Sequence, residues 1–405
     1  MTQRDAHFPA AFLWGTATAA YQIEGGGTNT DWWRFEHREG SIAAEPCGDA
    51  CDSWHRYGED LDIVATLGLN SYRFSVEWAR IEPRHGEIDR HALEHYRAVL
   101  AACHERAIAP VVTLHHFTLP LWVADAGGFE SPDIAEWMGA YARVVGEALG
   151  DQIAMACTIN EPNIVAAMGY LASVFPPEVT DWSRYVAVNG ALRRCHRAMV
   201  DALREGPGDF PIGMTLSMAE YEAVDDGEEA LATYRTEMED RYLAEVTEDD
   251  FLGVQCYTKH LFGPGGMIWG GDGELTEMGY LFWPRSVAYT LRRAREFTSI
   301  PLVVTENGIG TNDDDQRIRY LTEALAHLDE ARRDGIDVRG YFQWSLLDNF
   351  EWVLGYGPKF GLVAVDRTTF ARTPKPSAAW YADAVAARSG EVAPSSSTPS
   401  DEVGA

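Results

Sequence analysis

Short apolar segments recur along the chain, and segments with helical periodicity lie between them. Near-continuous apolar runs are typical of strands that are buried on both faces. Such runs predict strands at Phe12–Thr16, Ser71–Val76, Pro110–His115, Ile153–Thr158, Ile212–Met218, Phe251–Tyr257, Leu302–Thr305 and Val338–Trp344. Apolar residues spaced three or four positions apart predict helices at Gly58–Leu67, His91–Glu105, Pro132–Leu149, Trp182–Arg204, Ala230–Val246, Arg285–Phe297 and Asp315–Arg333.

This regular alternation predicts an α/β protein, and eight strand–helix units favour a (β/α)8 TIM barrel in a single domain. A doubly wound sheet is the alternative, but no predicted strand is followed by the glycine-rich phosphate loop common in that class. The barrel domain is expected to span residues 1–388. Residues 389–405 are rich in serine, proline, glycine and acid, so a disordered tail is predicted there.

Composition narrows the range of partners. The 405 residues include 62 acidic and 33 basic side chains, which give a formal net charge of -29. This charge repels nucleic-acid phosphates and anionic lipids, so neither a nucleic-acid nor a membrane partner is expected. Adaptation to high salt is a second interpretation of the same acidity.

The N-terminus and the cysteines bear on location. The polar start of the chain has no apolar segment behind it, which argues against a signal peptide. No apolar run approaches the roughly 20 residues of a membrane span. Cys157 and Cys256 fall inside predicted strands, where a free cysteine behaves as a small apolar residue. A soluble protein of the cytoplasm is therefore expected.

Two glutamates stand where strands are predicted to end. Glu161 follows the strand that leads into Thr158, and Pro162 cannot extend a strand ladder because it has no N–H. Glu306 follows a second strand, and Gly308 is expected to permit a sharp turn behind it. Both carboxylates are thus predicted to lie at the carboxyl ends of strands, where barrel enzymes have their active sites.

The other predicted strand ends contribute amides, carboxylates, histidine and tryptophan. They show no spacing typical of a metal site and no serine elbow. Such side chains suit a sugar, whose hydroxyls need hydrogen bonds and whose flat C–H face packs on an indole. Cleaving a glycosidic bond takes two carboxyl groups, one as acid and one facing the developing positive charge. Glu161 and Glu306 are the best pair, because the fourth and seventh strands lie across the barrel mouth from each other.

Several motifs in order resemble family 1 glycoside hydrolases, the β-glucosidase and β-galactosidase group. The resemblance covers nearly the whole predicted domain. The matching segments are Phe12–Thr18, Tyr21–Gly25, Tyr72–Trp78, His116 before Leu119-Pro120, Thr158–Pro162, Asp250–Gly253, Val304–Gly308 and Trp344–Trp352.

The resemblance implies a retaining mechanism on terminal β-D-glucosyl residues, with galactosides and fucosides as further substrates and no cofactor. In it Glu161 matches the acid/base and Glu306 the nucleophile, and ionised Glu306 should raise the pKa of Glu161. Arg73 and Tyr257 match positions that support the nucleophile. The positions that match sugar-binding residues are Gln22, His116, Asn160, Trp344, Glu351 and Trp352.

Departures from the family pattern bear on the substrate. Gln255 and Cys256 stand where asparagine and tyrosine are frequent, and the stretch Lys259–Met278 is short. That stretch should line the aglycone side, so the resemblance predicts the aglycone poorly. Glu351 would repel a sugar phosphate, which favours an unphosphorylated sugar. Two alternatives stay open: a transglycosidase that uses the same two glutamates, and a catalytically silent sugar-binding barrel.

Overall fold

The predicted apolar segments form the strands of a closed parallel barrel, so the (β/α)8 fold is confirmed. The structure is a computed structural model that describes Pro9 and residues 11–389. Each barrel strand pairs with its neighbours in the chain, and the first pairs with the last. The barrel strands are β1 Leu13–Ala17, β2 Ser71–Ser75, β3 Ala109–His115, β4 Met155–Asn160, β5 Ile212–Ser217, β6 Phe251–Gln255, β7 Leu302–Asn307 and β8 Val338–Trp344.

Strand residues alternate between the inside of the barrel and the layer beneath the helices. Val111 and Val303 belong to the cluster that fills the barrel, whereas their neighbours Val112 and Val304 pack in the larger outer cluster. This period of two follows from the pleat of a strand. Because both faces are covered, the strands are apolar throughout, which is why their positions could be predicted.

Helices and two small sheets complete the described part of the chain. The α-helices are Ala20–Glu24, Asp31–His37, Ser53–Thr66, Trp78–Ile81, Arg90–Glu105, Leu121–Asp125, Ile134–Leu149, Pro162–Tyr170, Trp182–Glu205, Glu228–Arg235, Arg241–Glu245, Ser286–Arg295, Asp314–Arg333 and Pro376–Ser389. The 3-10 helices are Gly128–Glu130, Gly150–Gln152, Val246–Glu248 and Trp352–Leu354. The small sheets are formed by Glu220–Ala223, Lys259–Gly263 and Gly266–Ile268, and by Val363–Val365 with Arg372–Pro374.

Side-chain caps explain where the long helices begin. The Asp181 carboxylate accepts hydrogen bonds from the backbone N–H groups of Ser183 and Arg184, at 2.8 and 3.0 Å. Asp313 caps the helix Asp314–Arg333 in the same way. Each cap satisfies N–H groups that have no partner inside the helix. The predicted starts at Trp182 and Asp315 lie within one residue of those observed.

The prediction of a single helix over Ala230–Val246 is wrong for the middle of this segment. A π-type turn at Thr236–Asp240 separates two α-helical pieces. The turn directs Glu239 inward, where its carboxylate lies 3.9 Å from the guanidinium of Arg293. A buried carboxylate needs such partners, and Glu239 has one on the preceding helix, Arg235 at 3.9 Å, and one on a distant helix, Arg293.

The two strands that carry the glutamates end later than predicted. Strand β4 runs to Asn160, and β7 continues through Glu306 to Asn307. The Asn307 amide holds the end of β7 in place, because it donates to the Cys256 carbonyl at 2.6 Å. Gly308 does not adopt the left-handed conformation expected of a sharp turn. Glycine is required there because a Cβ would lie 2.0 Å from the carbonyl oxygen of Trp344.

The C-terminal boundary also differs from the prediction. The helix Pro376–Ser389 is absent from the predicted elements, and it includes Ser389, which the sequence pattern assigns to the tail. The Tyr381 hydroxyl of this helix donates to the Gly15 carbonyl at 3.0 Å, which anchors the helix to β1. The remainder of the predicted disordered tail, residues 390–405, lies outside the described residues.

Candidate active site

The predicted site residues lie together at the carboxyl ends of the barrel strands. Parallel strands bring these ends to one mouth, so residues far apart in sequence become neighbours. The contributions in chain order are Gln22 after β1, Arg73 within β2, His116 after β3, Asn160 and Glu161 at the end of β4, Tyr257 after β6, Glu306 within β7, and Trp344, Glu351 and Trp352 at and beyond the end of β8.

Glu306 accepts a hydrogen bond on each carboxylate oxygen. Arg73 Nη1 donates to Oε1 at 2.6 Å, and the Tyr257 hydroxyl donates to Oε2 at 2.5 Å. Burial raises the pKa of Glu306, while the guanidinium and the phenol lower it. Charge-assisted hydrogen bonds of this kind favour the ionised form. Glu306 is therefore the carboxyl of the site that is equipped to carry a negative charge.

Arg73 is itself held inside the barrel. Its Nε donates to the Thr113 hydroxyl at 3.0 Å, and its Nη2 donates to the Asn160 carbonyl oxygen at 2.5 Å. The side chain is fully buried, so its charge is compensated by Glu306 rather than by water. The guanidinium thus positions the Glu306 carboxylate and the Asn160 amide at the same time.

Glu161 occupies a strained backbone position at the start of a helix. Its φ and ψ are 43 and 58°, in the left-handed region that side-chain-bearing residues avoid, and Pro162 opens the helix behind it. This conformation costs on the order of 1–3 kcal/mol and is found mainly at functional sites. The Glu161 N–H donates to the Thr215 carbonyl at 2.9 Å, which ties the strained residue to β5.

The two carboxyl groups differ in their protonation. Burial raises the pKa of Glu161 well above its ordinary value, and the negative charge of Glu306 raises it further. A hydrogen-bonding contact with the Ser217 hydroxyl lowers it by less. Glu161 therefore holds a proton under conditions in which Glu306, with its two strong donors, is ionised. The site can thus supply an acid and an anion side by side.

Hydrogen bonds fix the orientations of the Asn160 and His116 side chains. The Asn160 carbonyl oxygen accepts from Arg73, from Gln255 Nε2 at 2.9 Å and from the Thr215 hydroxyl at 3.2 Å. Its amide nitrogen must then donate, and it meets His116 Nε2 at 3.2 Å. Burial and the charge of Arg73 lower the pKa of His116 well below its ordinary value. His116 is thus neutral, and its proton is on Nδ1.

Polar atoms without a protein partner face the same pocket. Among the described residues, Gln22 Oε1, His116 Nδ1 and Glu351 Oε2 are buried and make no hydrogen bond within the protein. The Gln22 amide nitrogen donates to the Phe350 carbonyl at 2.7 Å, which brings this side chain beside Glu351. Unpartnered buried polar groups are costly and rare. Their convergence indicates a ligand with several hydroxyl groups.

Aromatic rings form the apolar side of the pocket. The His116 ring stacks on Trp344 at a centroid distance of 5.8 Å and on Trp352 at 6.1 Å. Trp352 also lies parallel to Tyr21 at 6.0 Å. Both indoles are almost completely buried, with exposed fractions of 4 and 6%. This closed end accommodates a flat C–H surface such as that of a pyranose ring.

Glu351 adds a third carboxyl group to the pocket. Burial, and secondarily the charge of Glu306, raise its pKa to about 8. A carboxyl group of this kind can accept a hydrogen bond from a neutral hydroxyl or donate one to it. A phosphate would instead meet the negative charge of Glu306, and no described cation lies against Glu351 to offset it.

Sequence reasoning missed Ser217 and Asn163. Ser217 is the last residue of β5, the one strand end from which no candidate was drawn. Asn163 is buried and donates from Nδ2 to the carbonyl oxygens of Ser217 and Met238, at 2.7 and 2.9 Å. It thereby joins the segment after Glu161 to the π-type turn. The position of Ser217 at a strand end was a usable signal, whereas nothing local distinguishes Asn163.

Other features of the described residues bear on ligands and environment. His115 packs edge-on against Phe129, and burial lowers its pKa to about 3. Within residues 11–389, no cluster of three or more histidine, cysteine or acidic side chains is arranged to bind a metal ion. None of the helices described is long and apolar enough to cross a bilayer.

Comparison with known proteins gives one consistent result. Residues 4–260 and 267–390 match the model of glycosyl hydrolase family 1. Beta-glucosidase A of Thermotoga maritima is 34% identical, over 93% of this chain and 97% of that protein. The crystal structure of the beta-glycosidase BGL167 is 41% identical with a TM-score of 0.88, over 96% of this chain and 100% of that chain. The Thermotoga maritima beta-glucosidase in complex with glucoimidazole is 31% identical with a TM-score of 0.85, over 95% of this chain and 99% of that chain.

Proposed function

The chain belongs to glycosyl hydrolase family 1, and we propose that it is a retaining exo-β-glycosidase. It is a glycoside hydrolase, and its relatives named beta-glucosidase make a small β-glucoside the first substrate to test. In this proposal the enzyme removes terminal non-reducing β-D-glucosyl residues, with galactosyl and fucosyl residues as slower substrates.

One observation carries the mechanism. An ionised Glu306, held by Arg73 and Tyr257, lies beside Glu161, whose pKa is raised. In the first step the Glu306 carboxylate attacks the anomeric carbon while Glu161 donates its proton to the glycosidic oxygen. The C–O bond breaks, the alcohol leaves, and the sugar is held as an ester of Glu306.

The second step uses the same residues in reversed roles. Esterification removes the charge of Glu306, so the pKa of Glu161 falls and it becomes a base. Glu161 takes a proton from water, whose oxygen attacks the anomeric carbon and displaces Glu306. Two inversions at one carbon leave the product in the β configuration.

The sugar is bound by the unpartnered polar atoms and the indoles. Gln22, His116 and Glu351 offer one free polar atom each, and the Asn160 amide lies beside them. Trp344 and Trp352 provide apolar surface at the closed end of the pocket. Because both indoles are almost completely buried, little space is left beyond one terminal sugar residue, which supports the proposal of exo action.

The configuration of the first product tests this proposal. Wild-type enzyme is expected to release β-glucose from phenyl β-glucoside, observed by proton NMR before mutarotation proceeds. The same measurement on the β-galactoside and β-fucoside ranks the sugars. Release of α-glucose as the first product would exclude double displacement, and no turnover of any β-glycoside would favour the silent sugar-binding barrel.

We further propose a cytoplasmic location. All six cysteines of the chain lie within the described residues, and each is a free buried thiol. Proteins of oxidising compartments commonly pair their cysteines, so free thiols favour a reducing environment.

A further inference from the structure

A large cavity adjoins the carboxyl pair on the side of the acid. Its volume is about 700 Å³, within the range of about 300–1,000 Å³ usual for small-molecule sites. Ser217, which contacts Glu161, and Tyr257, which donates to Glu306, both line it. The glycosidic oxygen receives its proton from Glu161, so the leaving group must lie on this side. We infer that the cavity selects bulky, uncharged, apolar aglycones rather than a second sugar.

Methionine and aromatic side chains dominate the cavity wall. Four of the ten methionines of the chain line it, on separate segments: Met168, Met218, Met238 and Met267. Methionine is flexible and polarisable, and it adapts its shape to varied apolar ligands. The methionine side chains of this wall pack well against rings or alkyl chains and offer no hydrogen-bond donor to a hydroxyl.

An aromatic group of three rings completes the wall. Trp269 stacks on Tyr280 at 6.2 Å, and the His260 ring lies 5.9 Å from both. Burial lowers the pKa of His260 to about 4, so this ring is neutral at physiological pH. The group therefore presents uncharged ring faces to the aglycone.

The polar residues of the cavity are poorly placed to bind a second sugar. The Thr258 hydroxyl donates to the Leu281 carbonyl at 2.8 Å, so its proton is already used. Asp226, Glu229 and Thr233 are exposed to solvent, at the outer side of the cavity. Apart from the hydroxyls of Tyr221, Tyr234 and Tyr280, a sugar in this cavity would find few partners to replace the water around its own hydroxyls.

The cavity mouth has the exposed apolar surface of a binding site. Trp182 and Trp269 line the cavity, with exposed fractions of 43 and 60%. Exposed indoles that border a cavity are typical of ligand-binding grooves. An aglycone longer than the cavity can continue onto these rings.

The inference rests on the proposed function, and octyl β-glucoside tests it against methyl β-glucoside and cellobiose. All three share the glucosyl group and an alcohol leaving group, so they differ mainly in what enters the cavity. Each buried CH2 group raises the binding affinity about fourfold, so burying two of them raises it more than tenfold. We expect kcat/KM for octyl β-glucoside to exceed the other two by at least about tenfold. Cellobiose equal to or better than octyl β-glucoside would overturn the inference.

Neighbouring residues of one strand offer a matched pair of variants. Met267 lines the cavity, whereas Ile268 does not and is 41% exposed. Met267→Ser should lower kcat/KM for octyl β-glucoside about fourfold or more, because it removes at least one CH2-sized contact, and should leave methyl β-glucoside unchanged. Ile268→Ser should change neither. Equal effects of the two substitutions would contradict the proposed wall.

A binding measurement separates this inference from the proposed function. Calorimetry with the Glu306→Gln variant compares octyl with methyl β-glucoside without any turnover. Tighter binding of the octyl compound would support the apolar cavity even if the wild type proved catalytically silent. Equal binding of the two would overturn the inference, whereas hydrolysis of phenyl β-glucoside with retention would still support the mechanism.

Discussion

Replacing Glu306 by glutamine is expected to lower kcat for phenyl β-glucoside by on the order of 10⁴-fold or more. Glutamine keeps the shape of the side chain but removes the negative charge that attacks the anomeric carbon. A loss of that size corresponds to about 5.5 kcal/mol of transition-state stabilisation. Initial rates at saturating substrate measure it, and the unfolding temperature shows whether the variant is folded.

The chain offers a matched control for this substitution. Glu24 is also buried and is also held by one arginine and one tyrosine: Arg80 Nε at 2.8 Å and the Tyr96 hydroxyl at 3.0 Å. Glu24→Gln should therefore carry a similar structural cost and keep kcat within about tenfold. If both variants lost activity equally, the effect of Glu306→Gln would be structural.

A small anion distinguishes a nucleophile from a merely supporting carboxylate. Glu306→Ala leaves space on the face from which the carboxylate attacks, and azide can enter there. A single displacement by azide inverts the anomeric carbon, so α-glucosyl azide is the expected product. Formation of β-glucosyl azide, or no rescue in a folded variant, would contradict the role of Glu306.

The second large effect is expected at Glu161. Glu161→Gln should lower kcat/KM for phenyl β-glucoside by about 10²–10⁴-fold, since general acid catalysis contributes that much. For 2,4-dinitrophenyl β-glucoside the loss in kcat/KM should be less than about tenfold, because this phenolate leaves without a proton. Equal losses for both substrates would show that Glu161 is not the acid of the first step.

The pH dependence gives an independent test of Glu161. Its raised pKa means that it keeps its proton to a higher pH than an ordinary glutamate and loses the proton as pH rises further. In the wild type, kcat/KM should therefore fall on the alkaline side, and Glu161→Gln should abolish that fall. Glu77 is a suitable control, because burial raises its pKa to about 7 although it bonds to Thr118 rather than to the pocket. If Glu77→Gln abolished the alkaline fall in kcat/KM and Glu161→Gln did not, the fall would be due to Glu77 and not to Glu161.

Azide should also give opposite products in the two glutamate variants. In Glu161→Ala the sugar ester on Glu306 still forms with a good leaving group, and azide then enters from the side the aglycone has left. Two inversions predict β-glucosyl azide, against α-glucosyl azide from Glu306→Ala. The same anomer from both variants would contradict the division of roles between the two residues.

The barrel could be predicted because its signals are local. Each strand is an apolar run buried on both faces, and the long helices have a repeating apolar stripe, several of them with a polar cap such as Asp181. Parallel strands place their carboxyl ends at one mouth, so Glu161 and Glu306 could be paired from strand order alone. The order of the strand ends and the chemistry of their side chains are therefore properties of the amino-acid sequence itself.

The tertiary structure decided what depends on partners distant in sequence. Arg73 and Tyr257, together with Glu306, determine which carboxyl is ionised. Asn163 connects Ser217 with the turn that contains Met238, and Met238 is seventy-five residues from Asn163 in the sequence. The π-type turn at Thr236–Asp240 holds a buried carboxylate, Glu239, that lies near Arg293 of a distant helix as well as near Arg235 of the preceding helix. Gly308 is glycine because of the Trp344 carbonyl beside it, which its own neighbours do not show.

The aglycone cavity also depends on residues that are distant in sequence. Its methionines come from separate segments, each of which would suit an ordinary core on its own. Only their arrangement around Ser217 and Tyr257 makes them a wall beside the acid. The amino-acid sequence by itself determined the barrel, the family resemblance and the two glutamates, because burial and strand order leave local patterns. The shape of the cavity, the protonation of the carboxyl pair and the strained backbone of Glu161 arise from contacts that exist only after the chain has folded.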